Sequence, residues 1–181
     1  SFGKISVRGA DAETFLNRVC SNDMTRPTGR AIYTAMLNER GGYESDLTAV
    51  RLGDDEYRLY LGTSAIRRDL AWLTRHLLPG EQVDLSDQTD EFAILGLMGP
   101  DAAEIATRLG ADELNHLGFF CCGAAQIAGV PVHAVRLSYV GEAGWELCCK
   151  VNTAESLFDA LIAAGAQPAG IFAQSSMRIE K

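Results

Sequence analysis

Ile5-Ser6-Val7-Arg8-Gly9-Ala10-Asp11-Ala12, near the start of the chain, is matched in its middle by Leu95-Gly96-Leu97-Met98-Gly99-Pro100-Asp101-Ala102. Each stretch reads as a short apolar strand, then Gly, then Asp at the start of a helix. Gly9 to Gly99 and Asp11 to Asp101 share one offset, 90 residues. Self-similarity at a fixed offset marks a repeated supersecondary unit. The second halves correspond as well. Glu56-Tyr57-Arg58-Leu59-Tyr60 resembles Gly144-Trp145-Glu146-Leu147-Cys148, each run being followed by a Thr and then a helical pattern, and Asp69 and Asp159 return to the offset of 90.

Outward from these anchors, each repeat reads strand–helix–strand–strand–helix. The first has strands over 4–8, 31–37, 46–52 and 56–62 and helices over 11–20 and 64–77. The second has strands over 92–98, 124–128, 132–138 and 145–151 and helices over 101–109 and 153–165. A further helix covers 169–180. Ile66, Leu70, Leu73 and Leu77 form one helical stripe, as do Leu157, Ala160, Leu161 and Ala164. Gly53-Asp54-Asp55 and Gly129 turn hairpins, and Pro79-Gly80 stops a helix. The expected fold class is α+β: two tandem split-βαβ-like repeats, 1–90 and 91–181, with antiparallel sheets and helices on one face.

Hydrophobic residues make up 47% of the 181-residue chain and charged residues 22%, enough for real cores in an ordinary globular balance. A formal net charge of −8 opposes nucleic-acid binding, which needs phosphate-neutralising Lys and Arg. No apolar run approaches the ~20 residues of a membrane helix, and no secretory signal pattern is present. Cys20, Cys121-Cys122 and Cys148-Cys149 form neither a C-x-x-C nor an even set. They read as free thiols of a reducing compartment, the cytoplasm or mitochondrial matrix. His76, His116 and His133 are dispersed, so no metal site is expected. The chain opens at Ser1 without a Met and stops on a helix, which suggests a fragment of a longer protein.

Two hairpins carry candidate chemistry. In Tyr33-Thr34-Ala35-Met36-Leu37-Asn38-Glu39-Arg40-Gly41-Gly42-Tyr43-Glu44-Ser45-Asp46, a Gly-Gly tip is followed by an acid at a strand start. Asp is a poor strand residue. Leu47, Ala49 and Leu52 beyond it suggest partial burial. Asp46 either satisfies backbone donors there or handles a proton or a cation. In Arg136-Leu137-Ser138-Tyr139-Val140-Gly141-Glu142-Ala143-Gly144-Trp145, Glu142 is held between two glycines. It is either a solvated turn residue or a carboxylate placed to accept two parallel N–H bonds from a planar amidine edge, such as a pterin presents.

Together these stretches resemble a known family. Asn38-Glu39-x-Gly41-Gly42-x-x-x-Asp46 and Tyr139-Val140-Gly141-Glu142-x-Gly144-Trp145-Glu146-Leu147 look like two signatures of glycine-cleavage T-proteins, the aminomethyltransferases. Gly9-Ala10-Asp11-Ala12-Glu13-x-Phe15-Leu16 and Ser176-Met177-Arg178-Ile179-Glu180-Lys181 match in the same order and spacing. Met36-Leu37-Asn38-Glu39, Tyr43-Glu44-Ser45-Asp46 and the Arg-Ile-Glu-Lys ending are closest to the folate-binding C-terminal part of sarcosine and dimethylglycine dehydrogenases.

The resemblance implies the first two of three subdomains around a folate site, without the final β-rich one. It implies tetrahydrofolate as cofactor, with FAD only in a separate upstream domain of the same full-length chain. Asp46 then matches the carboxylate beside the folate's reactive nitrogens and Glu142 the one that binds the pterin ring. Tyr33, Tyr139, Gln174 and Arg178 are further cofactor-binding candidates. The family usually carries an Arg where this chain has Gln174, which cannot supply the charge or the bidentate contact. The implied activity is transfer of an aminomethyl or formaldehyde-level unit to give 5,10-methylenetetrahydrofolate. The partners are folate and an amine-derived donor, with neither nucleic acid nor membrane. The alternatives are a stand-alone T-protein, a folate-dependent demethylase and a non-catalytic folate-binding scaffold.

Overall fold

The computed structural model describes residues 2–181. The chain divides into two compact units, one running to Glu91 and the other Phe92–Lys181. The first holds β1 (Gly3–Arg8), α1 (Ala12–Val19), β2 (Ala31–Leu37), β3 (Tyr43–Gly53), β4 (Glu56–Leu61), α2 (Ile66–Arg75) and β5 (Asp84–Asp87). Its sheet has the order β2-β3-β4-β1-β5. Every neighbouring pair is antiparallel. Ile5 and Val7 of β1, Leu47 and Ala49 of β3, and Tyr57, Leu59 and Leu61 of β4 join Phe15 and Leu16 of α1 and Trp72 and Leu73 of α2 in one core. The two-residue period of the strands and the 3.6-residue period of the helices meet there.

The second unit holds β6 (Phe92–Met98), α3 (Ala102–Arg108), β7 (Cys122–Ile127), β8 (Val130–Val135), β9 (Gly144–Lys150), α4 (Ala154–Ala163) and α5 (Ile171–Ile179). Its antiparallel sheet has the order β6-β9-β8-β7. Leu97, Trp145, Leu147 and Cys149 from the strands pack with Ile105 of α3 and Leu157 and Leu161 of α4. The Trp145 indole N–H donates to the Leu114 carbonyl at 3.1 Å, so the largest core side chain is also polar-satisfied.

Three local features depart from or go beyond the sequence reading. The helix expected over 64–77 is a 3-10 turn, Thr63–Ala65, followed by α2, which stops at Arg75. The His76 N–H bonds the Leu73 carbonyl, tightening the last turn before Pro79 is reached. β5 has no apolar alternation to announce it. It joins as an edge strand through pairing of Leu85 with Val7 and Ser86 with Ser6. Asp11 and Asp101 occupy N-cap positions but cap neither helix. The Asp11 carboxylate instead accepts the Gln82 N–H at 2.8 Å.

Candidate functional site

Asp46 is placed by strand alternation. Leu47 and Ala49 turn into the core, so Asp46 turns to the other face of β3, where it is exposed. The partial burial expected from its apolar neighbours is therefore not found: Leu47 and Ala49 belong to the opposite face. On β2, Ala35 sits directly across from Asp46 and Tyr33 lies diagonally, across from Thr48. The small Ala35 leaves the diagonal open. The Tyr33 hydroxyl donates to Asp46 Oδ2 at 2.8 Å. Sequence separates these two by thirteen residues; the hairpin joins them.

The hairpin tip is built by Asn38. Its Oδ1 accepts the Gly42 N–H at 2.8 Å and the Arg40 N–H at 3.1 Å, and its Nδ2 donates to Glu44 at 2.9 Å. Gly41 takes φ +73, the left-handed region that glycine enters at no steric cost. Tyr43, also near Asp46, was missed by sequence reasoning. Its phenol is held above its usual range by lost solvation first, then by hydrogen bonding and charge from Asp46.

In the second unit, the loop joining β8 to β9 meets the end of α5. Arg178 Nη1 donates to the Tyr139 hydroxyl at 2.9 Å, with its guanidinium 5.1 Å from the ring centroid. Lys181 forms an ion pair with Glu142. Gly141, at φ +79, allows this approach: a Cβ there would lie 2.7 Å from the Lys181 Cβ. Arg178 and Tyr139 are thus brought together, as are Glu142 and Lys181. Gln174 lies one turn before Arg178 on α5, partly exposed, with no side-chain partner among the described residues.

The carboxylate that sequence reasoning passed over is Glu146. It stands between Trp145 and Leu147, both in the second core, so alternation puts it on the opposite sheet face. Gly96 and Val135 are its cross-strand neighbours. It is only 7% exposed. No group among the described residues hydrogen-bonds it, and burial pushes its carboxyl up to about 7. A Glu in mid-strand between two large core residues was the available signal. A buried carboxyl lacking donors suits a ligand that brings paired N–H groups. Glu142 already has a cation. None of the five cysteines forms a disulfide among the described residues, and burial pushes the Cys20 thiol up to about 12, leaving it protonated and unreactive.

The model of the GCVT N-terminal domain matches residues 1–181. The aminomethyltransferase of Thermus thermophilus is 38% identical over 179 residues, covering 98% of this chain and 51% of the relative. That of Anoxybacillus flavithermus is 34% identical, covering 98% and 50%. The chain thus spans about half the length of these curated relatives. Glycine cleavage system aminomethyltransferase T from Bartonella henselae superposes with a TM-score of 0.87 at 26% identity, covering 99% of this chain and 48% of that one. Heterotetrameric sarcosine oxidase from Corynebacterium sp. U-96 shares the fold, with a TM-score of 0.63 at 20% identity, covering 93% and 84%. With its whole length matched and its two antiparallel sheets superposed, the chain belongs to the aminomethyltransferase family, as its GCVT N-terminal domain.

Proposed function

We propose that this chain is the folate-binding part of an enzyme that moves a formaldehyde-level one-carbon unit to tetrahydrofolate, giving 5,10-methylenetetrahydrofolate. The observation that carries this reading is the exposed Asp46 carboxylate, held by the Tyr33 hydroxyl at 2.8 Å within the motif that resembles the family signature. Tetrahydrofolate, when bound, supplies the nucleophilic nitrogen. Asp46 contributes a fixed negative charge beside a developing cation and a site for the proton released there. Tyr33 holds the carboxylate in one orientation, which is how positioning lowers a barrier.

Glu146 suits the pterin ring better than Glu142. A planar donor edge would satisfy its oxygens, while Glu142 would first have to release Lys181. Tyr139, with Arg178 stacked on it, offers an aromatic face beside the same strand. Gln174 contributes at most neutral hydrogen bonds to an anionic tail.

The Tyr43-Glu44-Ser45-Asp46 form of the hairpin supports a place within a sarcosine- or dimethylglycine-dehydrogenase-like protein. A flavin domain of that protein would oxidise the N-methyl group. Five cysteines without a disulfide among the described residues fit a reducing compartment, the cytoplasm or mitochondrial matrix.

The test is folate-dependent formation of 5,10-methylenetetrahydrofolate by the full-length protein. An aminomethyl donor, N-methylglycine and N,N-dimethylglycine are supplied in turn. Asp46→Asn is expected to lower turnover by about 100-fold or more with the thermal midpoint unchanged. Wild-type turnover in that variant contradicts the reading. Activity with an aminomethyl donor alone favours a stand-alone T-protein over the dehydrogenase branch.

A further inference from the structure

Ser45 immediately precedes Asp46, so its side chain leaves β3 on the opposite face, in line with Leu47 and Ala49. There its hydroxyl donates to Oδ2 of Asp69 at 2.6 Å. Both are buried, Ser45 at 6% and Asp69 at 1% exposure. The other Asp69 oxygen accepts from Arg68 Nε at 2.9 Å, the Arg68 side chain being 60% exposed.

Asp69 lies in the first turn of α2, one turn before the core residue Leu73. An apolar side chain is the plain choice for that position, because a buried carboxylate is costly unless donors meet it. The sequence offers a contrast at the corresponding place of the second repeat, where Asp159 is exposed. The first-unit acid is thus committed inward. Its buried donor belongs to the residue next to Asp46.

We propose that the Ser45–Asp69 pair is a positioning device, which ties the first turn of α2 to β3 and so fixes the height and direction of the Asp46 carboxylate. This rests on the role given to Asp46 above. Tyr33 restrains the carboxylate from the solvent face and Ser45 restrains its backbone from the core face. Neither Ser45 nor Asp69 touches substrate.

The test uses the full-length protein and the turnover assay above, recording kcat, KM for tetrahydrofolate and the thermal midpoint for Ser45→Ala, Ser45→Thr, Ser45→Cys and Asp46→Asn. Ser45→Ala is expected to lower kcat by about tenfold or more while KM moves less than about twofold, since misplacing a reacting group weakens turnover rather than binding. Ser45→Thr, which keeps the hydroxyl, is expected to return kcat to within about threefold of wild type. Ser45→Cys keeps the shape, slightly enlarged, with a weak donor and serves if Ser45→Ala does not fold. It is expected to lose kcat in the same way. Wild-type kcat in whichever of the Ala and Cys variants folds overturns the inference, even if the thermal midpoint falls. If Asp46→Asn is inactive in that case, only the pair's role is lost. If Asp46→Asn is fully active, the reading of Asp46 itself is lost.

Discussion

At the scale of single residues, three carboxylates of one chain meet three environments. Asp46 is exposed and bonded by a phenol, Glu142 is paired with a lysine, and Glu146 is buried without a donor among the described residues. The last has a thermodynamic consequence. Burial raises its carboxyl from 4.5 to about 7, so the folded state holds the proton more tightly than the unfolded state. The cost is absent below about pH 4.5, grows as pH rises through the interval to about 7, and is constant above. The gap corresponds to roughly 3 kcal/mol. Glu146→Gln is therefore expected to flatten the fall of stability between pH 5 and 7, a change that denaturant titrations across that range would reveal. An unchanged pH slope would show that Glu146 is not the group responsible. Sequence made Asp46 visible because an acid after a Gly-Gly tip is unusual. It hid Glu146, because polar–apolar alternation in a strand is the commonest pattern of all. Burial on the second face of a sheet depends on what covers that face, which no local spacing encodes.

At the scale of elements, the repeat predicts equivalent turns at Gly9 and Gly99, and their constraints differ. Both have positive φ, +129 and +141. A Cβ on Gly9 would lie 2.0 Å from the Gln82 carbonyl oxygen, whereas Gly99 has open space. Gly9→Ala is expected to lower the thermal midpoint clearly more than Gly99→Ala, because backbone cannot yield as a side chain can. Similar losses would mean that φ strain alone governs both sites. In the first hairpin, Asn38→Ala removes the acceptor of two backbone N–H groups and is expected to cost on the order of 1–2 kcal/mol by chemical denaturation. No loss would contradict the clamp. Strand and helix positions were largely legible, since Ile5-x-Val7 and Phe15-Leu16 repeat with the periods of the elements they occupy. β5 was not, because an edge strand of sequence Asp-Leu-Ser-Asp is recruited by pairing with β1 and has no core face of its own to pattern.

At the scale of the whole molecule, two antiparallel sheets each bury one face against their own helices, which the α+β reading anticipated from the 90-residue offset. A formal charge of −8 distributed over the chain predicts passage through heparin at low salt without retention. Retention would reveal a basic surface that the composition does not suggest. Family membership was legible from four motifs in order. The carboxylate proposed to bind the ring was not, because two glutamates four residues apart share one motif and burial is what sets them apart. The central claim is that this chain binds a reduced folate through the Glu146 carboxyl while Asp46 serves chemistry. It is tested most directly by calorimetric titration of the full-length protein with a stable reduced folate, alongside Glu146→Gln, Glu142→Ala and Asp46→Ala. The account predicts that binding is lost in Glu146→Gln, retained in Glu142→Ala and weakened only modestly in Asp46→Ala. Equal binding by all four proteins, or none by the wild type, would contradict it.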